Sequence, residues 1–68
     1  MIPADTPVGT IVLVKYATEN RIGKLIARDK NGILIDFFDN GEQRHYPGWV
    51  SRVVIATPEE IIRWRNTQ

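Results

Sequence analysis

Up to residue 56 the chain is built of short apolar stretches broken by polar turns. Residues 10–16 (TIVLVKY) are β-branched and aromatic and too few for a typical helix, so they predict a first strand. After the polar break Ala17-Thr18-Glu19-Asn20, residues 21–29 predict a second strand and residues 33–38 a third. A fourth follows Glu42 and ends at Pro47, which cannot donate to a sheet ladder. Pro47-Gly48-Trp49 reads as a turn, and residues 52–55 as a fifth strand. The pattern then changes. Thr57-Pro58-Glu59-Glu60 has a capping threonine, proline at the first helical position and glutamate three residues after the cap, so a helix is predicted over 58–66. It is too short to be stable alone and must pack on something. Ile61 and Trp64 share one face of it, with Ile62 nearby.

Turn chemistry sets an expected register. Asp29-Lys30-Asn31-Gly32 fits a type I turn followed by a left-handed glycine, a three-residue hairpin loop with a bulge. That loop puts Asp29 opposite Ile33, Ala27 opposite Ile35 and Leu25 opposite Phe37. Asp39-Asn40-Gly41-Glu42 carries the Asn-Gly pair of a two-residue type I′ turn. It puts Phe38 opposite Gln43, Phe37 opposite Arg44 and Asp36 opposite His45. Ile33, Ile35 and Phe37 then point inward, as do Gly23, Leu25 and Ala27. Leu34, Asp36 and Phe38 point the other way.

Length confines the chain to one domain: with 68 residues it spans 1–68 as a single unit, a barrel over about 8–56 and the helix beyond it. A chain this short buries only about 60% of its unfolded surface, so its core is thin. A hydrophobic fraction of 43% still argues against disorder. Without cysteine there are neither disulfides nor thiolate metal sites. No apolar run is long enough to span a bilayer, and the first residues lack a secretion-signal pattern, so a cytoplasmic protein is expected. Nine Lys or Arg against eight Asp or Glu leave a net charge of +1, smaller than a duplex-coating protein usually carries.

Five short strands with a turn before the last is the layout of an SH3-like barrel, and within that group the chain resembles Tudor domains over residues 7–55. The likeness runs through Pro7-Val8-Gly9, Val12, Val14 and Tyr16, then Ile35 to Gly41, then Val50-Ser51-Arg52-Val53-Val54. Its motifs are a Val-Gly entry, an aromatic closing strand one, and an acidic-Asn-Gly hairpin after strand three. The resemblance implies an all-β five-stranded barrel whose open end presents aromatic side chains, which in Tudor domains cage methylated Lys or Arg by cation–π attraction. By position Tyr16 matches one cage aromatic, and Phe37 or Phe38 another. The position opening strand two, aromatic in the family, is Arg21 or Ile22 here. The fourth falls near Asp39 or Asn40. SH3 domains proper bind proline-rich peptides, and only Tyr46-Pro47-Gly48-Trp49-Val50 resembles their closing motif.

Two binding readings follow, from different residues. Aromatics on or near outward faces suit a protein or peptide partner seated on Tyr16, Phe38 and Trp49, with Asp39 and Arg44 at the rim. Alternatively Lys15, Arg21, Lys24 and Arg28 on strands one and two form a basic stripe that grips nucleic acid. The helix face of Ile61 and Trp64, with Ile62 nearby, is read first as a cap on one end of the barrel; alternatively it joins Ile26, Leu34 and Phe38 in a dimer contact that buries surplus apolar surface and gives a homo-oligomer. No enzyme is expected: His45 is the only histidine, predicted to pair with Asp36, and Ser51 has no evident catalytic partner. The run Asp36, Asp39 and Glu42 splays over both faces of its hairpin and does not wrap a metal. No cofactor is expected.

Overall fold

The computed structural model describes residues 2–38 and 41–67. Its elements are β1 (Ile11–Lys15), β2 (Asn20–Asp29), β3 (Gly32–Phe37), β4 (Gln43–Tyr46), β5 (Val53–Ile55) and α1 (Pro58–Asn66). The five strands form one antiparallel sheet in the order β4-β3-β2-β1-β5. The chain is thus mostly β with one short C-terminal helix, as its pattern predicts. Among the described residues no ladder joins β4 to β5, so the hydrogen-bonded sheet is open.

The sheet is buried on both sides, by different means. One face carries the main core: Val12, Val14, Leu25, Ile35, Phe37 and Val53 are fully enclosed, with Ile33, Tyr46 and Ile2 around them. The other buries Leu13, Ile22 and Ala56, against which α1 lays Ile61 and Trp64. The helix starts where its cap dictates. Thr57 Oγ1 accepts from the Glu60 backbone at 3.2 Å, and Glu60 Oε1 accepts from the Thr57 N–H at 2.8 Å. The bond from Thr57 holds the Glu60 carboxyl below its ordinary range, helped by Lys15 and Arg63. A lowered acid pKa stabilises the fold at pH above the ordinary carboxylate value, and that gain fades as the pH falls through the folded value.

Two registers differ from expectation. The β2–β3 loop has two residues, not three: Asp29 pairs with Gly32, Arg28 with Ile33 and Ala27 with Leu34. The bulge lies between Leu25 and Ala27 instead of at Gly32, and beyond it Leu25 pairs with Ile35 and Gly23 with Phe37. The turn is shaped by the Asp29 carboxylate, whose Oδ1 accepts from Asn31 N at 2.8 Å and Gly32 N at 3.0 Å. Gly32 has φ +148°, and a Cβ there would drive into the Tyr46 carbonyl oxygen and Pro47. One consequence is that Ala27, expected inside, is exposed.

In the β3–β4 hairpin the pairing is displaced by two residues. Ile35 faces Arg44, Ile33 faces Tyr46 and Asp36 faces Gln43. The connection is longer than a two-residue turn, closed by Phe37 N–H donating to Glu42 O at 2.8 Å. Asp39 and Asn40, and with them the turn read there, lie outside the described residues; Gly41 has the positive φ, +71°, that such a bend favours. An even displacement keeps every side chain on its face, so Ile33, Ile35 and Phe37 remain inside. The Asp36–His45 pair does not form across this register. His45 stands opposite Leu34 instead, and its Nε2 is 3.8 Å from Asp29 Oδ1.

Leu25→Ala should lower stability by about 2–5 kcal/mol, since the site is fully enclosed. Thr57→Ala should cost about 1 kcal/mol through the lost cap. Gly32→Ala should cost more than the cap loss, because both its φ and its space are denied to a methyl group. Urea unfolding of the three variants checks this order.

Candidate interaction site

At the end of the main core face where β1 closes and β2 opens, aromatic rings and arginines meet. Arg21 lies opposite Val14 and shares its inward face. Its guanidinium carbon stands 3.9 Å from the Phe37 ring centre and 5.8 Å from that of Tyr16. Space for the ring comes from Gly23, directly opposite Phe37; a Cβ there would sit 2.6 Å from Ile35 Cγ2 and 3.3 Å from Phe37 Cδ1. Of the two residues that open strand two, Arg21 lays its own cation over the Phe37 ring, while Ile22 is buried on the opposite face.

Glu42 joins the two arginines of this end. Its Oε1 is 3.6 Å from Arg21 Nη2, and its Oε2 accepts from Arg44 Nε. The hydrogen bond and charge of Glu42 raise the Arg44 pKa above its ordinary value. Behind them the Tyr16 and Tyr46 hydroxyls are 2.9 Å apart. Two strands separate β1 from β4 in the sheet. A flat sheet would hold their backbones about 14 Å apart at the usual strand spacing; the bond, with the single core cluster shared by Tyr46 of β4 and Val53 of β5, shows the sheet curling over its core. Burial, then the bond to Tyr16, pushes Tyr46 up to about 12, with Arg44 and Arg21 pulling the other way.

The remaining expected partner-binding residues are dispersed. Phe38 points away from the main core, as alternation requires, and is 39% exposed. Its ring packs on Trp64 of α1, centroids 5.0 Å apart, so the helix accounts for much of its cover. Trp49 sits in the turn between β4 and β5, 77% exposed, beside Val50, which packs against the main core. Asp39 lies outside the described residues. Tyr16 and Arg44 are therefore neighbours, Phe38 is on the opposite face of the sheet, and Trp49 projects from the β4–β5 turn. Of the residues read for self-association, Ile61 and Trp64 are turned onto the sheet, while Ile62 is 57% exposed.

The basic set divides as well. Lys15 and Lys24 follow the alternation of Leu13 and Ile22 and lie on the helix side of the sheet. Arg21 is on the other side, over Phe37. The bulge turns Arg28 to the side of Ile33, where its Nη1 donates to Ala4 O at 2.6 Å and its Nη2 to Thr6 O, strapping the N-terminal segment down. A stripe read from unbroken alternation could not anticipate this. Glu42 carried no signal beyond its acidic run, and Arg21 was singled out only as one of the basic set.

The chain matches no protein-family model, no curated protein and no solved structure. Its class is therefore given by its own geometry: a small curled antiparallel sheet backed by one helix, with an aromatic–arginine cluster at one end.

Tyr46 supplies a test of that cluster. In the unfolded chain it ionises near 10, and in the fold only near 12. A raised folded pKa means that its contribution is whole below pH 10 and is lost as the pH climbs through the folded value. The urea midpoint should therefore fall across that window. In Tyr16→Phe, which leaves Tyr46 as the sole tyrosine, tyrosinate absorbance should rise at lower pH and the fall in midpoint should shrink.

Proposed function

We propose that this chain is a non-catalytic interaction module of the cytoplasm that seats a partner protein, with the curled sheet serving as an SH3-like, Tudor-related barrel. Support for the barrel comes from the strand order, the turn before the last strand, and a core shared by residues of both edge strands, Tyr46 and Val53. The likeness stops short of the methyl-ligand cage, because Arg21 already covers Phe37.

The observation that carries the interaction reading is Trp49. In a core this thin, a tryptophan left 77% exposed withholds the largest apolar side chain from the interior. Tryptophans of that kind dominate binding energy at protein interfaces. Arg44, 55% exposed in its side chain, and Tyr16 add polar and aromatic contacts at the open end of the core face. Nucleic-acid binding by Lys15, Arg21, Lys24 and Arg28 has less behind it, since these cations are divided between two faces and Arg28 is bonded to main-chain carbonyls.

Trp49→Ala should change stability by less than about 0.5 kcal/mol, as expected of an exposed side chain, and should abolish partner capture. Tagged wild type and variant, incubated with nuclease-treated lysate and read by mass spectrometry, compare the two. Proteins retained by wild type and lost from the variant support the reading. An identical set on both, or binding that vanishes with nuclease, removes it.

A further inference from the structure

The aromatic–arginine cluster is more organised than two exposed cations would need to be. Arg21 and Arg44 belong to β2 and β4, which are not neighbours in the sheet. The curl brings them onto one carboxylate. Arg21 is stacked on Phe37 with its side chain only 16% exposed, so its guanidinium is oriented rather than free to wander. Arg44 is different: it engages Glu42 through Nε, and its terminal nitrogens Nη1 and Nη2 have no hydrogen-bond partner among the described residues. The side chain is 55% exposed, and its two terminal nitrogens are the donors left to a ligand, a planar pair that a carboxylate can fill with both oxygens.

We propose that Arg44, held in place by Glu42 and backed by Arg21, binds a carboxylate from an acidic segment of a partner protein. This rests on the interaction reading and names the chemistry of the group received. Glu42 has two opposed effects. Through Nε it fixes the plane of the Arg44 fork, and its charge repels any second carboxylate brought to the same guanidinium. It therefore acts as an internal competitor, and the cluster takes an acidic ligand more strongly once that charge is removed. Glu42 sits immediately before β4, in the connection from β3, so its side chain can yield without disturbing a ladder pair.

The probe is a short polyglutamate peptide, acetylated and amidated at its ends so that only side-chain carboxylates are offered. It is titrated into the isotope-labelled chain at low salt and followed by amide and arginine Nε resonances. Saturable shifts should centre on Tyr16, Arg21 and Arg44. Glu42→Gln should bind about ten-fold tighter, the scale expected from removing one like charge held within several ångström of the incoming carboxylate. Arg44→Lys keeps the charge but loses the fork, and should bind at least about ten-fold more weakly. Thermal unfolding run alongside shows that both variants are folded under the titration conditions.

No saturable shift in Glu42→Gln overturns the proposal, as does Arg44→Lys binding as well as wild type. Saturation by a single-stranded oligonucleotide where the peptide gives none overturns it in favour of phosphate. Capture of a partner through Trp49 alongside failure of the peptide removes this inference alone and leaves the interaction module standing.

Discussion

Leu25 has to face the same side of the sheet as Ile35 and Phe37, and almost everything else depends on that parity. A two-residue loop pairing Asp29 with Gly32 would, if continued without interruption, set Leu25 opposite Asp36 and turn it out of the core. The extra residue inserted between Leu25 and Ala27 cancels the slip and returns Leu25 to Ile35. Strands have a period of two, so one residue is enough to exchange inside for outside along all that follows. The bulge therefore protects the enclosed layer of Val12, Val14, Leu25, Ile35 and Phe37. It also releases Arg28 toward the N-terminal segment, whose Ile2 joins the core.

From that parity comes the curl, and from the curl the cluster. With the centre of one face apolar and its arginines at the margins, the strands bend over it until Tyr46 meets Tyr16 across two intervening strands. The same bending carries Arg44 to the Glu42 that also meets Arg21. None of these encounters is local in sequence, except Glu42 with Arg44. The opposite face has its own apolar row, Leu13 and Ile22, and needs a separate cover. A capped helix supplies it, and Trp64 extends that cover as far as Phe38.

Short-range codes in the chain were legible because their causes are short-range. Threonine, proline and glutamate at 57, 58 and 60 build the observed cap from within one turn. β-branched runs became strands nearly where expected, and Ile33, Ile35 and Phe37 went inside because alternation survives even register shifts. What escaped the sequence was the location of the compensating irregularity. Asp29 and Gly32 signal a bend, yet the Asp29 carboxylate closes it as a two-residue loop and Gly32 is pressed against Tyr46 from another strand. Nothing local distinguishes that from a bulged three-residue loop. Arg28 lies beyond that bulge, so its departure from the face of Lys24 was equally hidden, whereas the placing of Arg21 on the face opposite to Lys24 follows from plain alternation. Phe38 was read correctly as outward-facing, but its neighbour Trp64 is brought up by tertiary packing that no pairwise spacing encodes.

The two tryptophans make the sharpest physical contrast in the molecule. Trp64 sits on the apolar side of an amphipathic helix, where its ring fills the space between α1 and the end of β3. Trp49 follows Pro47-Gly48 in a turn closed by Val50 N–H donating to Pro47 O at 3.1 Å, and it is Val50 that turns inward to pack on the core. The turn's geometry needs an exposed residue at 49, and any polar side chain would meet that need at less solvation cost. Exposure is thus imposed by the fold, whereas the indole is not. A side chain that the fold does not require, in a position where water disfavours it, gains most when a second surface covers it. That asymmetry, more than the composition of the chain, is the reason to look for what rests on the β4–β5 turn.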